Sequence, residues 1–155
     1  MRVASLLLLT ACWSPSSPPP PPPAEPIQNV APRGPAEREP LPAHTVWRGF
    51  YDCAQGKTAV QLTLDLDTDG SASAIFDFGP HADNPGIPPG SYRLTGTWRD
   101  DGPKLALALE PERWINQPPR YEMVGLTAVT GSRRQRMRGQ ISNSACAAID
   151  VQRVR

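Results

Sequence analysis

The sequence predicts an all-β fold, an antiparallel barrel of about eight strands, and three observations support that prediction. From Trp47 onward, apolar side chains recur at every second residue, which is the period of a strand with one buried face. Glycine, proline, aspartate and asparagine interrupt this pattern at short intervals, as they do between short strands. Cys53 and Cys146 stand at the end of the first predicted strand and the start of the last, strands that must pair if a barrel closes.

A β-hairpin is the clearest predicted element. Two alternating strands flank a tight turn at Asp69-Gly70, and their apolar positions are Val60, Leu62, Leu64, Leu66, Ala72, Ala74, Phe76 and Phe78. Residues 47–53 are expected to form the preceding strand. Five further strands are expected around Leu94, Leu107, Leu126, Met137 and Ile149.

Only Glu110–Asn116 hints at a helix, and the flanking Pro111 and Pro118 would limit that helix to about one turn. Eight sequential strands with mostly short connections fit an up-and-down barrel of the avidin or lipocalin type, which removes exposed strand edges by closing. A two-sheet sandwich is the alternative architecture.

Residues 1–11, MRVASLLLLTA, are predicted to be an export signal. Their apolar run from Val3 to Leu9 is far shorter than the roughly 20 residues with which a helix spans a membrane. The block Leu9-Thr10-Ala11-Cys12 resembles the lipobox of bacterial lipoproteins. That resemblance implies cleavage before Cys12, attachment of lipid to its thiol, and a protein anchored to the outer or the cytoplasmic membrane of a bacterial cell envelope.

Residues 12–43 are predicted to be a proline-rich spacer between the lipid anchor and a domain formed by residues 44–155. Twelve of the twenty prolines lie between Ser14 and Ala43. The six consecutive prolines Pro18–Pro23 favour polyproline II, which makes a semi-rigid stalk. A docking site for a proline-binding partner is the alternative interpretation of this segment.

The cysteine count agrees with an exported, lipidated chain. Lipid on Cys12 leaves Cys53 and Cys146 as the remaining pair, and an oxidising compartment allows them to form a disulfide. Such a bond would hold the first and last strands side by side. Two buried free thiols are the alternative, which conflicts with an export signal.

No group of residues in the sequence commits the chain to a reaction. The only histidines, His44 and His81, lack partners at metal-ligand spacing, and neither Ser91 nor Ser144 stands in a nucleophile elbow. We therefore predict that the chain is not an enzyme and has no cofactor or metal ion. The formal net charge of +1 gives no reason to expect nucleic acid as a partner.

Two aromatic residues are candidates for ligand binding. Trp114 and Tyr121 flank the connection that contains NQPPR. There they would form either a lid over the barrel end or a surface on which a sugar or peptide stacks.

Arginines form the one local charge feature. Arg134, Arg136 and Arg138 occupy alternate positions, so a strand would place them on one outward face about 7 Å apart. This face is interpreted either as a solvated strand surface or as a contact for an anionic envelope component, such as lipid phosphate or an acidic glycan.

The stretch FYDCAQGKTAVQLTL, Phe50 to Leu64, resembles the first strands of membrane-bound lysozyme inhibitors, which are small lipoprotein β-barrels. The serine- and glycine-rich inhibitory loop of that family has no counterpart here, so the resemblance does not carry the inhibitory role. The expected function is a membrane-tethered, non-catalytic ligand-binding module. A structural or assembly lipoprotein and a hydrolase inhibitor are the alternatives.

Overall fold

The computed structural model describes residues 41–154, which form a closed antiparallel β-barrel of eight strands. The strands are β1 His44–Cys53, β2 Gly56–Leu66, β3 Ser71–Gly79, β4 Gly90–Asp101, β5 Lys104–Asn116, β6 Leu126–Thr130, β7 Arg136–Ile141 and β8 Cys146–Arg153. Each strand pairs with its neighbour in sequence, and β1 pairs with β8 to close the barrel. The barrel prediction is confirmed, and the sandwich alternative is wrong.

The predicted export signal, Cys12 and the proline-rich segment up to residue 40 lie outside the described residues. Within residues 41–154, the structure contains no helix that is long and apolar enough to cross a membrane.

The barrel interior is filled by the side chains that the two-residue period directs inward. Trp47, Phe76 and Tyr92 are almost completely buried, together with leucines from β2, β4, β5 and β6. The indole nitrogen of Trp47 donates a hydrogen bond of 2.9 Å to the hydroxyl of the equally buried Thr45. Burying the indole therefore leaves no unpaired donor, which satisfies the main polar requirement of a buried tryptophan.

Three glycines allow the strands to approach one another closely. A Cβ atom on Gly49, Gly96 or Gly139 would lie about 2 Å from a backbone carbonyl oxygen of the neighbouring strand. Glycine inside a strand often marks a tight bend or a close backbone approach in a barrel. Glycine at these three positions therefore lets the backbones of neighbouring strands come close together in this eight-stranded barrel.

The hint of a helix at Glu110–Asn116 is wrong, because these residues belong to strand β5, which ends at Asn116. Its pairing with β4 shifts register where Arg93 lies opposite Arg113 and Leu94 lies opposite Pro111. The extra residue of this bulge reverses the alternation, since a register slip of one residue exchanges the two faces of a strand. Trp114 therefore lies opposite the buried Tyr92.

The two ends of the barrel differ. One end, here called the mouth, carries the connections 54–55, 80–89, 117–125 and 142–145. The other, here called the entry end, carries the turns 67–70, 102–103 and 131–135 and the start of β1. The Arg153 amide donates to the Gln135 carbonyl, and the Val154 amide donates to the Val46 carbonyl. The chain thus enters and leaves the barrel at the entry end.

A disulfide joins Cys53 to Cys146 at the mouth. The two cysteines lie directly opposite each other in the pairing of β1 with β8. The predicted bond between the first and last strands is confirmed, and it links the two strands whose pairing closes the barrel.

Candidate functional site

A pocket of about 370 Å³ opens at the mouth, between the strand ends and the 117–125 connection. Its volume lies at the lower end of the range of small-molecule sites. Aromatic rings form its walls, and polar side chains from two connections stand at its rim. The disulfide of Cys53 and Cys146 also lines it.

Tyr121 forms one wall of this pocket. Its ring stacks on Phe78 with centroids 5.4 Å apart, and Phe78 also lines the pocket. Trp114 contacts the same Phe78 edge-on at 6.4 Å and contacts Tyr92 at 5.2 Å. Both aromatic candidates, Trp114 and Tyr121, thus contact the Phe78 ring. Of the two, only Tyr121 is among the described residues that line the pocket.

The 117–125 connection is fixed in place by hydrogen bonds from two sides. The Tyr92 hydroxyl donates to the Val124 carbonyl at 3.0 Å, and the Val124 amide donates back to that hydroxyl at 3.4 Å. The Gly125 amide donates to the Ser142 hydroxyl at 2.7 Å. Burial strongly raises the pKa of Tyr92, so its hydroxyl keeps its proton and can donate.

Tyr51 supplies a second buried ring to the pocket. It packs edge-on against Phe76 at 5.5 Å and is 4% exposed. Burial raises the pKa of Tyr51 to about 12, against the opposing effect of a hydrogen bond with Thr58. The hydroxyl is therefore neutral at physiological pH and offers both a donor and an acceptor. The Tyr51 side chain points inward because it lies on the same face of β1 as Trp47, four residues earlier.

The rim of the pocket carries Arg120, Glu122 and Asn143. Arg120 adopts a φ of 65°, in the left-handed region that residues other than glycine seldom occupy. Such backbone strain is concentrated at functional sites. Sequence reasoning missed this rim and Tyr51, although the two prolines before Arg120 signal a rigid turn beside the candidate Tyr121.

The arginine prediction is corrected at Arg134. This residue lies in the turn before β7, has a φ of 51° and is 7% exposed. Its guanidinium donates to the Asp100 carboxylate at 2.7 Å and to the Gly102 carbonyl at 3.0 Å. Arg134 therefore ties two turns of the entry end together and does not share an outward face with Arg136 and Arg138.

Arg136 and Arg138 do lie on the outward face of β7, and both contact Asp150 on β8. The Nε atoms of the two arginines donate to this carboxylate at 2.6 and 2.9 Å. These hydrogen bonds lower the pKa of Asp150, and the bond to Asp150 raises the pKa of Arg136. One carboxylate thus partly offsets two guanidinium groups.

Within residues 41–154, no group of three or more histidine, cysteine, aspartate or glutamate side chains is placed to hold a metal ion. The chemistry that the mouth pocket offers is stacking on tyrosine and hydrogen bonding at the rim. The chain matches no protein-family model, and no curated protein matches it either.

Proposed function

We propose that this protein is a membrane-tethered, non-catalytic module that binds a glycan in its mouth pocket. The observation that carries the proposal is the placement of Tyr121, whose ring forms a pocket wall between Phe78 and the polar rim. Sugar rings present apolar C–H faces that stack on aromatic side chains, and their hydroxyl groups need donors and acceptors at the edge of that stack. Arg120, Glu122 and Asn143 offer both.

Rigidity supports the same proposal. The bonds from Tyr92 to Val124 and from Gly125 to Ser142 hold the pocket wall in one arrangement before a ligand arrives. A preformed wall loses little conformational entropy on binding, which favours a weakly interacting ligand such as a sugar.

A glycan array followed by titration calorimetry tests the pocket. The full chain is used with Cys12→Ser, so that no lipid contributes to retention. Replacement of Tyr121 by Ala should weaken binding of the best glycan about tenfold, because one stacking surface is lost. Trp114→Leu is the matched control, since Trp114 contacts the same Phe78 but does not line the pocket.

Retention of no glycan by the array would contradict the proposed ligand class. Equal losses in the Tyr121 and Trp114 variants would show that the substitutions disturb the aromatic cluster and that Tyr121 has no direct contact with the ligand. Thermal unfolding of both variants separates loss of binding from loss of folding.

The tether rests on the lipobox resemblance at Cys12. Several acyl chains on one residue hold a protein on a membrane far more firmly than the marginal binding of a single chain. Labelling of cells with a fatty-acid analogue should mark the wild-type protein and leave Cys12→Ala unmarked and released from the membrane fraction. A Cys12→Ala protein that still carries label would rule out this anchor.

A further inference from the structure

A shallow groove runs over the outside of the barrel across β4, β5, β6 and β7, with a volume of about 500 Å³. Strand register places Arg99, Ala106, Val129 and Arg138 in one row across these strands. The next row toward the mouth holds Thr97, Ala108, Thr127 and Gln140. Short side chains thus form the floor, and an arginine stands on each side.

The floor of this groove is apolar in the middle. Val129 is 48% exposed, which makes it one of the few large apolar side chains on the described surface. Arg99 and Arg138 flank it from β4 and β7, three strand spacings apart, which corresponds to about 14 Å. The groove therefore combines a small apolar strip with two cations that can engage two separate anionic groups.

Positive charge exceeds negative charge around the groove. The cations of residues 99–104 and 133–138 are Arg99, Lys104, Arg133, Arg134, Arg136 and Arg138, and the carboxylates among and beside them are Asp67, Asp69, Asp100, Asp101 and Asp150. Arg134 is neutralised by Asp100, but Asp150 serves both Arg136 and Arg138. The side chain of Arg99 is 76% exposed, so its ion pair with Asp101 at 3.1 Å is weak in water.

The groove also lies near the entry end of the barrel. The turn 131–135 leads directly into β7, and its Gln135 bonds the Arg153 amide beside the start of β1. The chain that precedes Leu41 therefore joins the domain at the end where these arginines are concentrated. A surface to which that preceding chain is anchored would lie within reach of the groove.

We propose that the groove face formed by Arg99, Val129 and Arg138 is a docking surface for an anionic phospholipid bilayer. Guanidinium groups bind phosphate through paired N–H donors, and the two arginines are spaced for two different headgroups. Val129, Ala106 and Ala108 are short and uncharged, so the barrel wall between the two arginines can approach the headgroup layer closely. The mouth pocket lies at the other end of the barrel and remains open when the groove is occupied.

Vesicle co-sedimentation tests this surface. The full chain with Cys12→Ser is mixed with phosphatidylglycerol vesicles or with phosphatidylcholine vesicles at increasing salt concentrations. We expect binding to phosphatidylglycerol that weakens as salt screens the charges, and little binding to phosphatidylcholine. The double variant R99Q/R138Q should bind phosphatidylglycerol roughly 30-fold more weakly, since each arginine near an anionic surface contributes to binding.

The matched control is R93Q/R113Q, which removes two charges from β4 and β5 near the mouth. This variant has the same net charge as R99Q/R138Q, and both variants leave the contact between Arg136 and Asp150 intact. The control should keep wild-type binding. Equal weakening by the two variants would show that net charge alone attracts the membrane and would overturn the assignment to the groove.

Three further results would overturn the proposal. The first is equal binding to both vesicle types. The second is retention by an acidic glycan without vesicle binding, and the third is dimerisation through the groove without vesicle binding. Because the mouth pocket is tested with Tyr121 variants and glycans, either proposal can fail while the other stands.

Discussion

At the scale of single residues, Gly139 shows how closely the strands of this barrel approach each other. A Cβ atom at this position would lie 1.9 Å from the Thr127 carbonyl oxygen and 2.6 Å from the Ala128 Cα atom. Both atoms belong to the backbone of β6, so no side-chain rotation can relieve the contact. The absence of a side chain at Gly139 is therefore a packing requirement of the β6–β7 pair.

Gly139→Ala should lower the free energy of unfolding by about 2–3 kcal/mol, because the added methyl group must displace β6. Gly86→Ala is the matched control, since nothing lies within 4 Å of a Cβ atom built there. The control should change stability by less than about 0.5 kcal/mol. Urea unfolding followed by fluorescence measures both, and equal stability of the two variants would contradict the close approach.

At the scale of elements, the number and type of strands were predictable because one face of each strand is buried. The period-two pattern in β2 and β3 marks the inward side chains, and all eight predicted strands are present. The extent of β5 was not predictable, because Pro111 within it and Pro118 just after it indicated an interruption. Pro111 is tolerated because β5 pairs with β6 only from Ala106 to Leu109, so this part of β5 has one unpaired edge.

The residues of the candidate site were likewise only partly predictable from the sequence. Tyr121 was recognised because few aromatic residues exist outside the core pattern. Tyr51 was missed because it alternates like a core residue, and only the three-dimensional arrangement shows that it borders an open pocket. Arg134 was placed on a strand face because alternation continues through Gln135, whereas the bond from its amide to the Gly131 carbonyl places it in the turn.

At the scale of the whole molecule, the barrel separates two surfaces. The mouth carries the aromatic pocket and the disulfide, whereas the entry end carries the start of β1 and the turn with Arg133 and Arg134. A bilayer docked on the groove, as proposed above, would leave the mouth pocket accessible, because that pocket lies at the opposite end of the barrel.

Closure of the barrel depends on the seam between β1 and β8, which the disulfide spans at the mouth. The bond joins residues 93 positions apart, so its loss frees almost the entire described chain in the unfolded state. The double variant Cys53→Ser/Cys146→Ser should lose about 4 kcal/mol of stability in the chain-entropy model. The urea dependence of its unfolding should become steeper, because a chain without the cross-link exposes more surface when it unfolds.

Urea unfolding of the double variant and the wild type, both without reductant, measures this difference, and Ala147→Ser on the neighbouring position of β8 is the control. Wild-type protein treated with reductant should approach the stability of the double variant, while the control should remain at the wild-type value. Mass spectrometry after alkylation provides the independent check, since Cys53 and Cys146 should take up no label in unreduced protein. Alkylation of both thiols, or equal stability with and without reductant, would mean that backbone pairing alone closes the barrel.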